Sequence, residues 1–371
     1  MFLRKLALPL LSIAVFSLAG FGQSRRVAPT PTPTPKEDEP VRVLTEEIKL
    51  NVLAFDENGK FVPDVKTSDI VITENNILHQ PTSVRRIPAN VLIVMDTGGE
   101  MRQVKSLDQT RKTARAVVHA LKPGDQVAIL QYADAADIVS EWTDNRAQTL
   151  KAVDRTNFGR RSVFVNAIDR SIDFLVKSGF DNKHLVLITD GTDSNADARD
   201  KTRALNRLLS TDISVHVISY AQMEATDIAP RTKSVSNSPP PQALPPEIAA
   251  QLPNGARDVA TAPKWKTVNM DRTMLRKLRA RKADLEQSEV QLSKIAENTN
   301  GEMIVPTSLD EMVEKSALVA KMIDASYVVT YIPKIPLTEG SGDRNIDVTS
   351  KRAGLIIQAK RKLVIPAEVF Q

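Results

Sequence analysis

The sequence contains no cysteine, and this absence removes several classes of chemistry. Disulfides, thiol nucleophiles, iron–sulfur clusters, thiolate zinc sites and an amino-terminal lipid-modified cysteine are excluded. Histidine is scarce as well, because the chain has four histidines and their positions show no ligand-like spacing: His79, His119, His184 and His216. A histidine metal centre or a Ser-His-Asp catalytic site therefore has little support.

The chain also lacks a dominant sign of charge. It has 50 Lys and Arg against 45 Asp and Glu, a formal net charge of +5. This balance argues against nucleic acid or an anionic membrane as the main partner. The length of 371 residues allows two domains with a full hydrophobic core.

Long apolar runs are missing except at the amino terminus. Arg4 and Lys5 precede the apolar stretch Leu6–Leu18, and small residues follow up to Gly22. This layout predicts a secretory signal peptide over residues 1–23, with a retained anchor as the alternative. We expect the mature protein to be exported, periplasmic or secreted, with no membrane span after cleavage.

The segments at the two ends of the mature chain differ from its centre. Residues 24–40 carry repeated Pro-Thr pairs and predict a semi-rigid linker. Residues 41–88 predict a β module of about three short strands, which cannot bury a stable core alone. We expect this module to pair with residues 325–368, within a C-terminal β segment 325–371, as a small β-sandwich.

Residues 89–324 alternate strand and helix, which predicts an α/β domain with a doubly wound, mostly parallel sheet. Two stretches interrupt the alternation. Residues 223–270 are rich in proline and predict a disordered or loop insertion. Residues 271–299 predict a helix that starts basic and carries leucines at heptad spacing, Leu278, Leu285 and Leu292. We favour a solvated basic face on a leucine-packed helix over a helix that binds a partner or an anionic surface.

Two apolar strands of this region end in an acidic residue. VLIVMDTGGEM places Asp96 directly after one strand, and HLVLITDGTD places Asp190 after another. Parallel strands bring their carboxyl ends to one edge of the sheet, which is where such sheets bind ligands. The two carboxylates therefore suggest one acidic site that would attract a cation.

These two segments, with LKPGDQVAILQYAD between them, resemble a von Willebrand factor type A domain. The flanking segments NVLAFDENGKFVPDVKTSDIVITEN and IAENTNGEMIVPTSLDEM resemble the type A-related proteins common in Acidobacteria. The resemblance implies a module that binds a protein partner without catalysis. It also implies a metal-ion-dependent adhesion site, in which a hard divalent cation takes oxygen ligands from three loops.

The family pattern of that site maps onto five positions. The first loop, D-x-S-x-S, falls on Asp96, Gly98 and Glu100, the threonine of the second loop falls on Ser162, and the aspartate of the third falls on Asp190. Gly98 removes one hydroxyl ligand, and Glu100 adds a longer, charged group. We therefore expect a degenerate metal site, with Mg²⁺ or Ca²⁺ as the candidate cofactor.

Two alternatives follow from these departures. Glu100 could supply a carboxylate oxygen and make a more anionic, Ca²⁺-tolerant site. Otherwise Arg160 or Arg161, just before Ser162, could place a guanidinium among the carboxylates in place of the metal.

Three functions remain open on the sequence alone. The leading hypothesis is an exported, non-enzymatic adhesion or scaffold module with a protein partner. The second is a metal-assisted hydrolase that uses Asp96, Glu100 and Asp190 as a carboxylate cluster. The third is a structural or oligomerising domain with a dead metal site. The identity of the partner and the oligomeric state stay open.

Overall fold

The computed structural model of the chain describes residues 47–99, 107–236, 267–268, 271–337 and 343–363. All of them belong to one compact unit, residues 45–371. The predicted signal peptide (1–23), the predicted linker (24–40) and Glu100 lie outside the described residues. No helix within the described ranges is long and apolar enough to cross a membrane.

The described chain forms sixteen strands and seven α-helices. In chain order the strands are β1 (Ile48–Asp56), β2 (Ile70–Glu74), β3 (Ile77–His79), β4 (Ser83–Arg85), β5 (Asn90–Asp96), β6 (Gln126–Tyr132), β7 (Ala136–Thr143), β8 (Lys183–Thr189), β9 (Ser214–Ser219), β10 (Val235–Ser236), β11 (Thr267–Val268), β12 (Met303–Ile304), β13 (Ser326–Tyr331), β14 (Arg344–Ser350), β15 (Leu355–Ala359) and β16 (Lys362–Leu363). The helices are α1 (Leu107–Ala120), α2 (Arg146–Arg155), α3 (Phe164–Lys177), α4 (Ala198–Leu209), α5 (Ala221–Ile228), α6 (Arg272–Asn298) and α7 (Leu309–Asp324).

The central sheet has six strands in the order β12-β9-β8-β5-β6-β7. All neighbours pair in parallel except the edge strand β7, which is antiparallel to β6. Every residue of β5 and β8 is buried, because helices cover both faces of the sheet. The structure thus confirms the predicted doubly wound, mostly parallel sheet.

Each face of this sheet has its own hydrophobic core. On one face, side chains of α3, α4 and the carboxyl-terminal half of α6 pack against the strands. On the other face, α1, α2 and α7 do so. The two layers fix the carboxyl ends of β5, β8 and β9 side by side, so the loops that follow these strands meet at one edge, called here the carboxyl edge.

The strands at the two ends of the described chain form two antiparallel four-stranded sheets. Their orders are β15-β1-β13-β4 and β16-β14-β2-β3, so early strands alternate with late ones. Apolar side chains from both sheets share one core, which includes Leu50, Ile72, Val329 and Ile346. The predicted sandwich of N- and C-terminal strands is therefore confirmed. Pairing supplies the buried area that neither set of strands has alone.

The insertion predicted to begin at Met223 needs a correction. The chain instead continues as helix α5 to Ile228. This helix forms because Ala221, Ala225 and Ile228 pack against Leu278 and Leu285 of α6 in a small core of their own. Residues 237–266 of the predicted insertion lie outside the described residues.

Helix α6 matches the predicted helix closely. Asp271 caps its amino terminus by accepting hydrogen bonds from two backbone N–H groups. The three leucines at heptad spacing are buried, while the basic residues of its first turns, Arg272, Arg276, Lys277 and Arg279, are exposed. Arg281 departs from this pattern, because its side chain is largely buried and points into the protein.

Candidate functional site

The carboxylate of Asp96 lies at the end of β5 and is fully buried. Its Oδ1 accepts a hydrogen bond from the backbone N–H of Gly98 at 3.2 Å. Its Oδ2 accepts the hydroxyl of Tyr220 at 2.5 Å, and Tyr220 directly follows β9, which is separated from β5 by β8. Asp96 therefore has a protein donor on each carboxylate oxygen.

Gly98 lies where the backbone of the second loop crosses the first. A Cβ atom on Gly98 would stand 1.7 Å from the carbonyl oxygen of Arg161 and 2.7 Å from the Cα of Ala133. The sequence predicted only the loss of a hydroxyl at this position. The structure adds that no side chain fits there, because the second loop fills the space.

The second loop turns sharply at residues 157–161, called here the tip loop. Four hydrogen bonds hold its main chain. Asn157 N–H donates to Gln131 Oε1 at 2.9 Å, and Gly159 N–H donates to the Thr97 carbonyl at 3.2 Å. The carboxylate of Asp134 accepts the N–H groups of Arg160 (3.3 Å) and Arg161 (3.1 Å). The side chains of both arginines are exposed. The tip loop is thus fixed by its backbone and presents its side chains outwards.

Ser162 follows the tip loop and is 5 % exposed. Its hydroxyl donates to the Thr192 carbonyl at 3.1 Å, and its N–H donates to the hydroxyl of Ser194 at 2.9 Å. Its own carbonyl accepts the N–H of Ser194 at 2.8 Å. Ser162 therefore ties the second loop to the third.

The third loop brings Asp190, which follows β8 and is 1 % exposed, close to a cation. Its Oδ1 accepts the N–H and the hydroxyl of Thr192, at 2.8 and 2.7 Å. Its Oδ2 accepts Nη2 of Arg281 at 2.8 Å, and Nη1 of the same guanidinium donates to the Thr192 hydroxyl at 2.5 Å. The planar guanidinium of Arg281 therefore binds the side chains of both Asp190 and Thr192.

The sequence predicted that an arginine of the second loop could take the place of the metal ion, and the structure differs from this prediction. Arg160 and Arg161 were the candidate cations, but the described contact on Asp190 comes from Arg281. The main-chain bonds to Asp134 turn the tip loop so that its two arginine side chains face solvent. Nothing in the spacing marks Arg281, since it stands 91 residues after Asp190 on a different helix.

The guanidinium of Arg281 stays charged in this setting. Burial acts to lower its pKa, but the negative charge of Asp190, with help from Tyr220 and Glu224, outweighs burial and leaves the pKa raised. The side chain of Arg281 is 17 % exposed and that of Asp190 is 2 % exposed. A charge-assisted pair so shielded is stronger than an ordinary surface ion pair.

Among the described residues, the oxygen ligands are not arranged for a hard divalent cation. Mg²⁺ needs about six well-placed oxygens. Here Oδ2 of Asp190 accepts a hydrogen bond from the Arg281 guanidinium, and Oδ2 of Asp96 accepts one from the Tyr220 hydroxyl. At position 98 there is no room for a side chain that could supply a further ligand. Within the described ranges no group of three or more His, Cys, Asp or Glu side chains could hold a metal.

Comparison with known proteins bears on the sheet domain. No curated protein matches the chain. Among solved structures, an aerotolerance-related membrane protein from Bacteroides fragilis NCTC 9343 is 16% identical, covering 64% of this chain and 98% of its own at a TM-score of 0.40. BatB from Bacteroides thetaiotaomicron is 15% identical (63% and 98%, TM-score 0.37), and a von Willebrand factor type A protein from Catenulispora acidiphila is 11% identical (87% and 74%, TM-score 0.40). The family model of the von Willebrand factor type A domain matches residues 90–239, the region that holds the three loops of the site.

Proposed function

We propose that the chain is an exported, non-enzymatic module that binds a protein at its carboxyl edge, as an adhesion or scaffold component with a degenerate metal site. The observation that supports this proposal is that the tip loop has a fixed backbone and exposed side chains. Phe158 is 59 % exposed there, beside two exposed arginines, on a backbone held by four hydrogen bonds. Aromatic and arginine side chains dominate binding hot spots, and a preformed loop loses little entropy on binding.

Two parts of this proposal draw on the sequence. The signal-peptide layout of residues 1–23 supports export, and the flanking segments support a likeness to type A-related proteins of Acidobacteria. The hydrolase alternative gains no support from the described contacts. Of its three carboxylates, Asp190 is paired with Arg281 and Asp96 accepts the Tyr220 hydroxyl, which leaves neither poised to hold a catalytic metal.

A photo-crosslinking experiment tests where a partner binds. A benzoylphenylalanine is placed at Phe158, or at Val176 as the matched control, in cells that make the protein naturally. Val176 is 52 % exposed but lies at the far end of α3, away from the carboxyl edge. A discrete adduct from position 158 and none from 176 supports the proposal. Equal labelling at both positions, or none at 158, contradicts it.

Reversing the charge of the tip loop is expected to weaken partner binding. The double variant Arg160→Glu/Arg161→Glu should lower the yield of the position-158 adduct roughly tenfold, because two exposed cations next to an aromatic anchor favour an acidic partner surface. Quantitative immunoblotting of the adduct measures the effect. The control, Arg170→Glu/Lys177→Glu, makes the same change of charge on exposed positions of α3 and should leave the adduct unchanged. An unaltered adduct in the tip-loop variant would show that its charge does not select the partner.

A further inference from the structure

Two of the buried carboxylates at the carboxyl edge lie at the ends of β5 and β8, and each needs compensation inside the protein. Asp96 is 0 % exposed and Asp190 is 1 % exposed. An isolated buried carboxylate is strongly unfavourable unless it is paired or hydrogen-bonded. Tyr220 supplies a hydroxyl to Asp96, and Arg281 supplies a full positive charge to Asp190.

The helix that carries Arg281 is anchored on both sides of this residue. Towards its amino terminus Leu278 packs against α5. Towards its carboxyl terminus, Ser288 Oγ accepts a hydrogen bond from Nζ of Lys201 at 2.6 Å. Further along, Leu292 lies on the turn after β8, where a Cβ on Gly191 would stand 2.7 Å from Leu292 Cδ1. The packing of α6 therefore fixes the backbone that carries Arg281, and Asp190 and Thr192 hold its guanidinium.

The geometry points to Arg281 as the permanent cation of this site, supplied by a helix outside the matched residues 90–239, so that the carboxyl edge works without a metal ion. The fork from Arg281 to Asp190 and Thr192 takes over both tasks of a bound cation. It neutralises the buried carboxylate, and it fixes the third loop relative to the rest of the edge.

This inference deepens the proposed function by naming the cation of the same edge, but its test needs no partner. If Arg281 fills the cation position, a protein-binding edge can be metal-free. If a metal binds after all, the edge can still bind a protein. The two proposals can therefore be contradicted independently. Crosslinking tests whether a protein binds at the carboxyl edge, and metal titration tests whether Arg281 takes the place of a metal ion.

The first experiment is calorimetric and thermal titration of the purified protein with Mg²⁺, Ca²⁺ and Mn²⁺ after treatment with a chelator. We expect no saturable heat and no rise in melting temperature at millimolar metal, because the guanidinium already compensates Asp190. Saturable binding to the wild-type protein that disappears in Asp190→Asn would overturn the proposal. This measurement stands even if the arginine variants fail to fold.

The second experiment separates the charge of Arg281 from its packing. Arg281→Met keeps much of the apolar stem but leaves the Asp190 carboxylate uncompensated, so we expect the melting temperature to fall by about 5 °C. The double variant Arg281→Met/Asp190→Asn removes both charges and should melt above Arg281→Met. The matched control Arg276→Met changes an exposed arginine of the same helix and should not shift the melting temperature. If Arg281 acted only through packing, the losses of melting temperature from the two changes would add. A double variant that melts below Arg281→Met would therefore contradict a cationic role.

Discussion

Gly98→Ser is expected to damage the site and not to repair it. The change restores the hydroxyl that the family pattern has at this position, but its Cβ would stand 1.7 Å from the carbonyl oxygen of Arg161. Relieving that overlap requires the first or second loop to move, and overpacking of this kind costs about 3 kcal/mol. We expect the free energy of unfolding, measured by urea denaturation, to fall by about that amount, with no gain of Mg²⁺ binding.

The control for this prediction is another glycine. Gly124 has a φ of +93°, but a Cβ added there would have nothing within 4 Å, so Gly124→Ala adds backbone strain without overlap. Its cost should be about 1 kcal/mol. A Gly98→Ser protein as stable as the wild type, or one that binds Mg²⁺ saturably, would show that the loops adapt and that the hydroxyl alone was missing.

Acid is expected to destabilise the protein through a buried histidine pair. His184 on β8 and His216 on β9 lie with Nδ1 of the first 3.1 Å from Nε2 of the second. His216 Nδ1 accepts the backbone N–H of Glu302 at 3.2 Å, so its proton is on Nε2 and points to His184. His184 then carries its proton on Nε2 and donates to Asn182 Oδ1 at 2.9 Å. Both rings are neutral, and a further proton on either would face another N–H.

The direction of the effect follows from the shifted pKa values. Burial lowers the pKa of His216 to about 4, and burial with the proximity of His216 lowers the pKa of His184 well below its usual 6.5. The unfolded chain therefore takes up protons first as the pH falls. The free energy of unfolding therefore keeps its full value above about pH 6.5, where the histidines are neutral in both states, and it decreases as the pH drops towards 4. His216 alone accounts for a loss on the order of 3 kcal/mol.

Urea denaturation at pH 7, 6, 5 and 4.5 measures this loss. The variant His184→Gln/His216→Gln is expected to be less stable at pH 7 but to lose much less stability between pH 7 and 4.5. The control His119→Gln alters an exposed histidine near the end of α1 and should keep the wild-type dependence on pH. If all three proteins lose stability in parallel, other groups, and not the buried pair, govern the acid response.

The order of elements could be predicted from local patterns. The buried strands β5 and β8 read as unbroken apolar runs, and Pro123-Gly124 follows the helix that ends at Ala120. The heptad leucines of α6 also identified its buried stripe. These features are predictable because each depends on residues close together in the chain.

The site was only half predictable for the same reason. The sequence indicated Asp96 and Asp190 by their positions at strand ends, and Ser162 came from the resemblance to the type A pattern; the structure places all three at the carboxyl edge. The tip-loop arginines were not placed correctly. Their direction depends on Asp134, in a separate loop, whose carboxylate binds their backbone N–H groups.

By itself, the amino-acid sequence determined that strands ending in Asp96 and Asp190 would bring two carboxylates to one edge, because parallel strands share their direction. Only the tertiary structure decided what compensates them. The packing of α6 along α5 and the turn at Gly191 sets the position of Arg281, and the crossing of two loops removes the space at Gly98. Such contacts join residues far apart in sequence, and their distances follow from how whole helices and loops pack and not from any local spacing.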